Sequence, residues 1–238
     1  MASCEDIYKD LNYKCQKILL ESFSEDNAGL QSKSHSFLSD LQNWIEIIDN
    51  RPEADIIKNA QLEYQYSLLA IVQGQYRQAY MALRLFMEQI LAAVYFSSNE
   101  FELRLWKQGN RDIFWAEITD NEKGIFSKKF VQAFFPPLVE EQNVFLQMAK
   151  NIYRECSEFC HGNYHTQATL NKSLAFNKET FEDWHAKAEC ARMVILYAFS
   201  VRYFEFLGLQ QKQEVVEASI MEYLGHLTSV QSFYDRER

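Results

Sequence analysis

The chain has 238 residues, of which 47% are hydrophobic, and it carries a formal net charge of −9 at pH 7. This length fits one large domain or a domain with appendages, and this apolar fraction is enough for a packed core. The acidic balance excludes the strongly basic footprint of proteins that coat RNA or DNA, although it leaves room for a local basic site.

Glycine, proline and cysteine usage narrow the class of protein further. With only 7 Gly and 3 Pro, the chain has few residues that break helices, which predicts long helices and few tight turns. The five cysteines are odd in number and lack close pairing, which is typical of reduced thiols in a cytosolic protein. The acidic start MASCEDIYKD is unlike a secretory signal, and no apolar run approaches the roughly 20 residues of a membrane span. We therefore expect a cytoplasmic protein without a membrane partner.

The N-terminal half of the sequence predicts four helices in succession. An amphipathic helix runs from Ser3 to about Phe23, with Ser3 and Asp6 as a loose capping pair. SEDNAGLQSKSH then forms a loop. A second helix runs from about Ser36 to Asn50. Pro52 marks the start of a third helix, which stops or bends at Gly74. QYRQAYMALRLFMEQILAAVYFSS is the most apolar helix and is expected at the centre of the fold.

The C-terminal half predicts short elements followed by long helices. Residues 101–124 form a short helix and loops, and FSKKFVQAFFPP is a short helix stopped by its two prolines. A helix from about Leu138 to Cys160 comes next, and residues 162–177 are polar and irregular. Helices from about Lys178 to Leu207 and from about Gln210 to Leu227 complete the chain. The pattern predicts an all-α helical bundle.

The helix that ends at Cys160 carries the densest group of reactive side chains, YRECSEFCHGNYHT. On a helical projection with Arg154 at zero degrees, Ser157, Glu158 and His161 join the arginine between about 300 and 40 degrees. This is a polar face. An apolar stripe lies between about 140 and 260 degrees and is expected to face the core; its members are Ile152, Tyr153, Cys156, Phe159 and Cys160.

The cysteines and histidines of this segment suggest two other chemistries. Cys156, Cys160, His161 and His165 resemble a metal-ligand set by composition. On a continuous helix, however, the two pairs point more than about 90 degrees apart, so one tetrahedral ion does not easily collect all four. A cysteine nucleophile is also disfavoured, because a buried apolar thiol is not activated. We favour two buried cysteines that act as small hydrophobic side chains, and we predict no metal and no other cofactor.

Arg154 and His161 are seven residues apart, almost two helical turns, so they line up on one exposed face with roughly 10 Å of axial rise between them. Arginine reaches far, and a phosphate could lie between its guanidinium group and the imidazole ring. The alternative is an ordinary solvated helix face, which the spacing alone does not exclude.

The pair and its surroundings resemble the signature of the HEPN superfamily, an arginine followed after four to six residues by a histidine near the end of a late bundle helix. YRECSEFCHGNYH has the usual form: an aromatic residue, the arginine, a polar residue, small residues and then His-Gly. YRQAYMALRLFMEQILAAVYF is similar to the family's helix in which a basic and an acidic residue, here Arg84 and Glu88, precede an aliphatic and aromatic end. The resemblance covers about residues 61–207.

This resemblance implies a HEPN-like up-and-down helical bundle over residues 61–207. A helical extension at residues 1–60 would pack on the bundle, and residues 208–238 would form a C-terminal helix and tail. It also implies a metal-independent endoribonuclease that works as a homodimer, with Arg154 and His161 as the catalytic pair. The substrate would be RNA and the role that of a toxin or defence effector, controlled by an antitoxin or another regulatory protein.

The residue after the arginine departs from the pattern of active members, which usually carry Asn, Asp or His there. This chain has Glu155. The departure, together with the acidic charge, favours an alternative function: a catalytically inactive HEPN bundle that binds a protein or a nucleotide in a regulatory or defence complex.

Residues on the two helices of the motif are predicted to support the catalytic pair. Arg84 and Glu88 are one turn apart and either form a structural ion pair or position the catalytic groups. Glu155 could orient the arginine or be solvated, and we favour solvation for Glu158. Ser157 is small and could allow close approach of a neighbouring helix.

The residues after the helix end are further candidates. Asn163 and His165 could line the cleft, since Gly162 frees the backbone there. Tyr164 is of interest because some family toxins carry a tyrosine one residue after the histidine that a partner nucleotidyltransferase modifies, whereas two residues intervene here. Elsewhere, Lys128 and Lys129 with Phe126 and Phe130 are either a local RNA contact or, as we favour, a solvated helix face. The aromatic run YAFSVRYFEFLG is expected in the core or at a dimer interface.

Overall fold

The structure, a computed structural model, describes residues 2–161, 164, 166, 170–208 and 210–237. Across these residues the chain forms eleven α-helices and no strand. The all-α prediction is thereby confirmed, while the HEPN-like arrangement stays a prediction. The helices are α1 (Cys4–Ser22), α2 (Ala28–Ile48), α3 (Ala54–Val72), α4 (Tyr76–Ser97), α5 (Glu100–Lys107), α6 (Trp115–Ile118), α7 (Lys128–Phe134), α8 (Gln142–Cys160), α9 (Lys178–Tyr203), α10 (Glu217–Leu224) and α11 (Thr228–Glu237).

The central helix is α4, because apolar residues cover most of its circumference. Leu83, Phe86, Met87 and Ile90 are fully buried, and α4 packs against α3, α8 and α9. By length and composition alone α4 could cross a membrane, but 61% of its apolar window is buried inside the bundle. From its sequence alone, this helix was not expected to span a membrane.

The first helix begins where the sequence predicted it. Ser3 and Asp6 form a reciprocal capping box, in which each side chain accepts a hydrogen bond from the other residue's backbone N–H, at 3.1 and 3.0 Å. Residues 4–13 are all exposed, whereas Ile18 and Ser22 are buried. The C-terminal half of α1 therefore anchors the helix, and its N-terminal half extends along the outside of the bundle.

The predicted loop after α1 is wrong over most of its length, because α2 begins at Ala28 and not near Ser36. Gln31 and Ser34 occupy core-facing positions of this extra helical stretch and are buried. The hydroxyl of Tyr64 donates to the Ser34 carbonyl at 2.8 Å. Because polar residues occupy these core-facing positions, the apolar periodicity that predicts a helix does not extend over the first turns of α2.

The C-terminal elements differ from the prediction in four places. The motif helix is preceded by a 3₁₀ turn, Pro136–Glu141, and α9 ends at Tyr203, before a second 3₁₀ turn, Phe204–Phe206. The expected last helix is a π-helical turn, Gln211–Val216, followed by α10, and α11 was not predicted at all. The predicted last helix is divided in two because the π-helical turn interrupts the 3.6-residue repeat of an α-helix.

One buried apolar cluster includes residues from all three predicted segments of the chain, such as Trp44, Leu83 and Tyr223. The proposed boundary between residues 60 and 61 falls inside α3. The division into an extension, a bundle and a C-terminal part stays a prediction.

Candidate functional site

The motif helix α8 is held between α4 and α9, with which it packs directly. Ile152 and Cys156 are buried, and Tyr153, Phe159 and Cys160 are half-buried. This is the stripe that the helical projection assigned to the core, so that prediction is confirmed.

Arg84 of α4 contacts two residues of α8. Its Nε donates to Oγ of Ser157 at 2.9 Å, and its Nη2 donates to the hydroxyl of Tyr153. The same Nη2 lies 3.6 Å from Oε2 of Glu88, one turn along α4, and the Tyr153 hydroxyl donates to Oε1 of Glu88 at 3.2 Å. The indole of Trp115 stacks on the Tyr153 ring with 3.9 Å between centroids. Arg84 and Glu88 therefore form an ion pair that also fixes how α8 is rotated against α4.

The electrostatics of this cluster favour a charged Arg84 and a neutral Tyr153. Burial lowers the pKa of Arg84, but Glu88 and Tyr153 outweigh it, so the pKa lies above its ordinary value. Burial and the Glu88 carboxylate raise the pKa of Tyr153, and the Arg84 guanidinium opposes them only in part. The phenol thus keeps its proton and can donate it to Glu88.

Arg154 and His161 are both exposed on the open side of α8. Neither side chain makes a hydrogen bond or an ion pair with any residue whose placement the structure gives. His161 is the C-cap of α8, and its backbone N–H donates to the Ser157 carbonyl at 3.2 Å. Glu158 is exposed as well, which agrees with the solvated position expected for it.

Glu155 lies on the other side of α8, toward α9. Its Oε2 is 3.2 Å from Nζ of Lys187, which also binds Oδ1 of Asp183 at 2.5 Å. Burial lowers the pKa of Lys187, but Asp183 and Glu155 outweigh it and the pKa is raised. The sequence suggested that Glu155 either orients Arg154 or is solvated. In the structure it does neither alone, because its ion pair with Lys187 links α8 to α9.

The last turn of α8 is held by the N-terminal half of α4. Arg77 donates from Nη1 to the Phe159 carbonyl at 3.1 Å, which satisfies one of the free carbonyls at a helix end. The Phe159 ring stacks on Tyr80 with 3.8 Å between centroids. No pattern in the sequence predicts this contact, since only the packing of α4 and α8 brings the two residues together.

The thiols of the motif have the character of core residues. Burial raises the pKa of Cys156 to about 12, so its thiol stays protonated at neutral pH and is a poor nucleophile. Over the part of the chain that the structure covers, no group of three or more His, Cys, Asp or Glu side chains is arranged to hold a metal ion. His165, one member of the ligand set considered above, lies outside the described residues.

The remaining candidates are spread around the site. Tyr164 is 80% exposed, while Asn163 and His165 lie outside the residues that the structure describes. Lys129 is paired with Glu122 at 2.6 Å, and Phe126 is fully buried, which favours the solvated helix face over an RNA contact. In the aromatic run YAFSVRYFEFLG, which spans the end of α9 and the 3₁₀ turn after it, Tyr197, Phe199, Tyr203 and Phe204 are buried in the core and Phe206 is exposed.

In comparisons with protein-family models, curated proteins and solved structures, nothing matches this chain.

Proposed function

We propose that this protein is a metal-independent endoribonuclease of HEPN type, in which Arg154 and His161 act together on one ribose–phosphate link. The observation that carries the proposal is that both side chains are exposed on one face of α8 with no partner among the described residues, while Tyr153, Glu155 and Ser157 are held by neighbouring helices. A catalytic pair needs this combination of a fixed support and free functional groups. In the cell it would act as a cytoplasmic toxin or defence effector under an antitoxin or regulatory protein.

The chemistry follows from what RNA and these two side chains supply. RNA carries its own nucleophile, the 2′-hydroxyl, beside each phosphodiester. An imidazole changes its protonation near neutral pH, so His161 can remove the 2′-hydroxyl proton or protonate the leaving 5′-oxygen. Arg154 stays charged and can bind two oxygens of the phosphorane as negative charge builds up on it. The products would carry a 2′,3′-cyclic phosphate and a 5′-hydroxyl.

A homodimer completes this site. Side chains on a helix lean toward its N-terminus, so Arg154 leans away from His161 of the same chain, and about 10 Å of helix rise already separates their Cα atoms. A second chain related by two-fold symmetry would place its arginine opposite the first chain's histidine. It would also double the local positive charge, which a chain of net charge −9 needs in order to hold a phosphate.

Incubation of the purified full chain with total RNA, beside Arg154→Ala and His161→Ala, tests the proposal. Each substitution should lower the cleavage rate at least about a hundredfold, the usual worth of a general acid or base for His161 and of one charge-stabilising donor for Arg154. Gln147→Ala is the matched control, because Gln147 is exposed two turns earlier on the same face of α8. Circular dichroism checks that all three variants fold, and 5′-end labelling of the fragments without prior phosphatase treatment identifies the 5′-hydroxyl. Cleavage that survives in His161→Ala, or fragments with 5′-phosphates, refutes the mechanism.

A catalytically inactive bundle that binds a protein or nucleotide is the second candidate. The observation that favours it is the Glu158 carboxylate, which is exposed on the same face as Arg154 and His161 and repels phosphate. Glu158→Gln separates the two functions. The endoribonuclease should keep its rate constant and bind RNA more tightly in this variant, whereas failure of both proteins to cut RNA at any stoichiometry favours the binding module.

A further inference from the structure

A cavity of about 590 Å³ lies between the outer half of α1, the turn from α3 to the first residues of α4, and residues 170–174. This volume is within the range of about 300–1,000 Å³ that is typical of ligand pockets. Neither Arg154 nor His161 lines it. We call this cavity the α1 groove.

The floor of the groove is fixed by Gly74. This residue has a φ of +71°, which side chains with a Cβ rarely adopt, and a Cβ added there would lie 2.7 Å from Cδ1 of Ile18. The glycine therefore lets α1 approach the α3–α4 turn closely. Because Ile18 is the buried anchor of α1, this contact sets the position of the exposed half of the helix that forms one wall.

The opposite wall is held by hydrogen bonds of Asn177 and Asn171. The Asn177 backbone N–H donates to the Tyr76 hydroxyl at 2.6 Å, and its side chain caps α9 by accepting from the Thr180 N–H at 3.0 Å. Nδ2 of Asn171 donates to the Ala175 carbonyl at 2.8 Å. The wall is thus formed before any ligand arrives, which lowers the entropy cost of binding.

The lining of the groove has the opposite charge balance to the rest of the chain. The protein has 33 Asp and Glu against 24 Lys and Arg, yet the described residues that line the groove include Arg77 and Lys172 and neither an Asp nor a Glu. Lys172 is exposed and has no ion-pair partner in the described part of the chain. Arg77 uses one nitrogen for the Phe159 carbonyl, which leaves its other donors for a ligand. Two cations without a competing carboxylate favour an anion.

An aromatic ring and several amides accompany the two cations. Tyr8 lines the groove and is 68% exposed, so a face of its ring is open to a planar ligand. Asn12, Gln75 and Gln78 also line it, and side-chain amides can pair with the edges of bases. Cations for a phosphate backbone together with an aromatic platform for a base are the elements that bind single-stranded nucleic acid.

We propose that the α1 groove binds a single-stranded segment of RNA next to the link that Arg154 and His161 cleave. Arg77 connects the two sites, since it lines the groove and holds the carbonyl of Phe159, two residues before His161. A base stacks on Tyr8 while Arg77 and Lys172 contact flanking phosphates. This inference rests on the proposed endoribonuclease function, and it assigns that function a single-stranded substrate.

Fluorescence anisotropy with the full-length His161→Ala protein and a fluorescein-labelled single-stranded RNA tests the groove without cutting the probe. Tyr8→Ala should weaken binding at least about fivefold, the lower end of what one stacked base contributes, and Tyr8→Phe should restore it. Lys172→Gln should weaken binding and lower the slope of log K against log salt by about 0.7, as expected for the loss of one phosphate contact with a single strand.

Two matched controls separate the groove from the general surface. Tyr13 is an exposed tyrosine on the opposite face of α1, Lys123 is an exposed lysine, and neither lines the groove. Tyr13→Ala and Lys123→Gln should therefore leave the affinity within twofold. In the protein with His161 intact, Tyr8→Ala should raise KM and leave kcat unchanged, because the stacked base is bound alike in substrate and transition state.

The possible failures are distinguishable. If wild-type protein cuts RNA while the groove variants keep both affinity and KM, the groove inference is overturned and the proposed function stands. If no RNA is cut but the groove variants alone lose affinity, the groove binds RNA and the catalytic proposal is overturned. No binding of RNA by the His161→Ala protein overturns the groove inference directly.

Discussion

His185 is a buried histidine whose surroundings keep it neutral. Its Nδ1 lies 2.7 Å from Oγ of Ser34, its ring packs edge-on against Phe181 and Trp184, and burial lowers its pKa to about 4. A cavity of about 20 Å³ beside the ring has room for about one water molecule. Titratable or charged side chains that line this cavity are Lys33, Tyr64, Glu189, Arg192 and Tyr223.

Folding stability should fall as the pH drops from 7.5 to 5 because of His185. Its pKa rises from about 4 when folded to 6.5 when unfolded, so the unfolded chain takes up a proton in this range that the folded chain does not. The stability that this residue contributes is present above pH 6.5 and is lost as the pH falls toward 4, by about 2 kcal/mol between pH 7.5 and 5. Urea unfolding of wild type and His185→Gln across this range measures the difference. Equal pH dependence in the two proteins would contradict the assignment.

Which residues of the motif are exposed could be predicted from the sequence. The ion-pair partner of Glu155 could not. A period of 3.6 residues places Arg154 and His161 on one side of a helix wherever that helix lies, and both are exposed. The partner of Glu155 is Lys187, which lies on α9, 32 positions later in the chain. Such a pair follows from how two helices are packed and rotated, which a local periodicity does not contain.

At the scale of elements, the contact between α4 and α8 depends on one polar clamp in an apolar interface. Arg84 binds Ser157, Tyr153 and Glu88 at once. Side chains of Arg84 and Glu88 are only 25% and 14% exposed, so loss of one partner leaves a poorly hydrated charge. The sequence left open whether this pair is structural or positions the catalytic groups.

Arg84→Met should destabilise the fold by about 2 kcal/mol, because Glu88 then keeps only the Tyr153 hydroxyl as a partner. The double variant Arg84→Met with Glu88→Leu should recover most of that loss, since an apolar pair replaces a partly buried ion pair. Urea unfolding measures both changes. If the double variant is stable and also cuts RNA at the wild-type rate, the clamp is purely structural; if it is stable with a lowered kcat, Arg84 is a positioning residue.

The starts of helices were predictable where a side chain caps them. Ser3 caps α1, Ser127 accepts from the Phe130 N–H, and Asn177 accepts from the Thr180 N–H; each lies close to a predicted start. Asn27 precedes α2 without a side-chain cap, and that start was missed by eight residues. A cap is a local signal in the sequence, whereas the early turns of α2 are stabilised by tertiary contacts of Ser34 with His185 and Tyr64.

At the scale of the whole molecule, exposed apolar side chains are concentrated on two neighbouring helices. The exposed faces of α3 and α4 carry Leu62, Tyr66 and Leu69 beside Met81 and Leu85, each at least 37% exposed. α3 and α4 are packed side by side, and we infer that these five side chains form one patch. Arg84 and Glu88, which contact Ser157 and Tyr153 of α8, lie beside Met81 and Leu85 on α4. In a chain of net charge −9, two copies repel each other over most of their surface. An uncharged patch next to the candidate site is therefore the surface on which the proposed two-fold dimer would form.

Leu69→Glu combined with Leu85→Glu should convert the proposed dimer into a monomer, because each copy would then place two carboxylates against their symmetry mates. RNA cleavage should be lost together with the dimer, since each site would lack the partner's arginine. Light scattering after size-exclusion chromatography measures the mass, and the cleavage assay is run on the same fractions. Leu20→Glu is the control, because Leu20 is 72% exposed on α1 and is not one of the five patch residues, and it should change neither mass nor rate. Wild-type protein that is a monomer while it cuts RNA would refute the dimer, and a dimer that survives the double substitution would place the interface on another face.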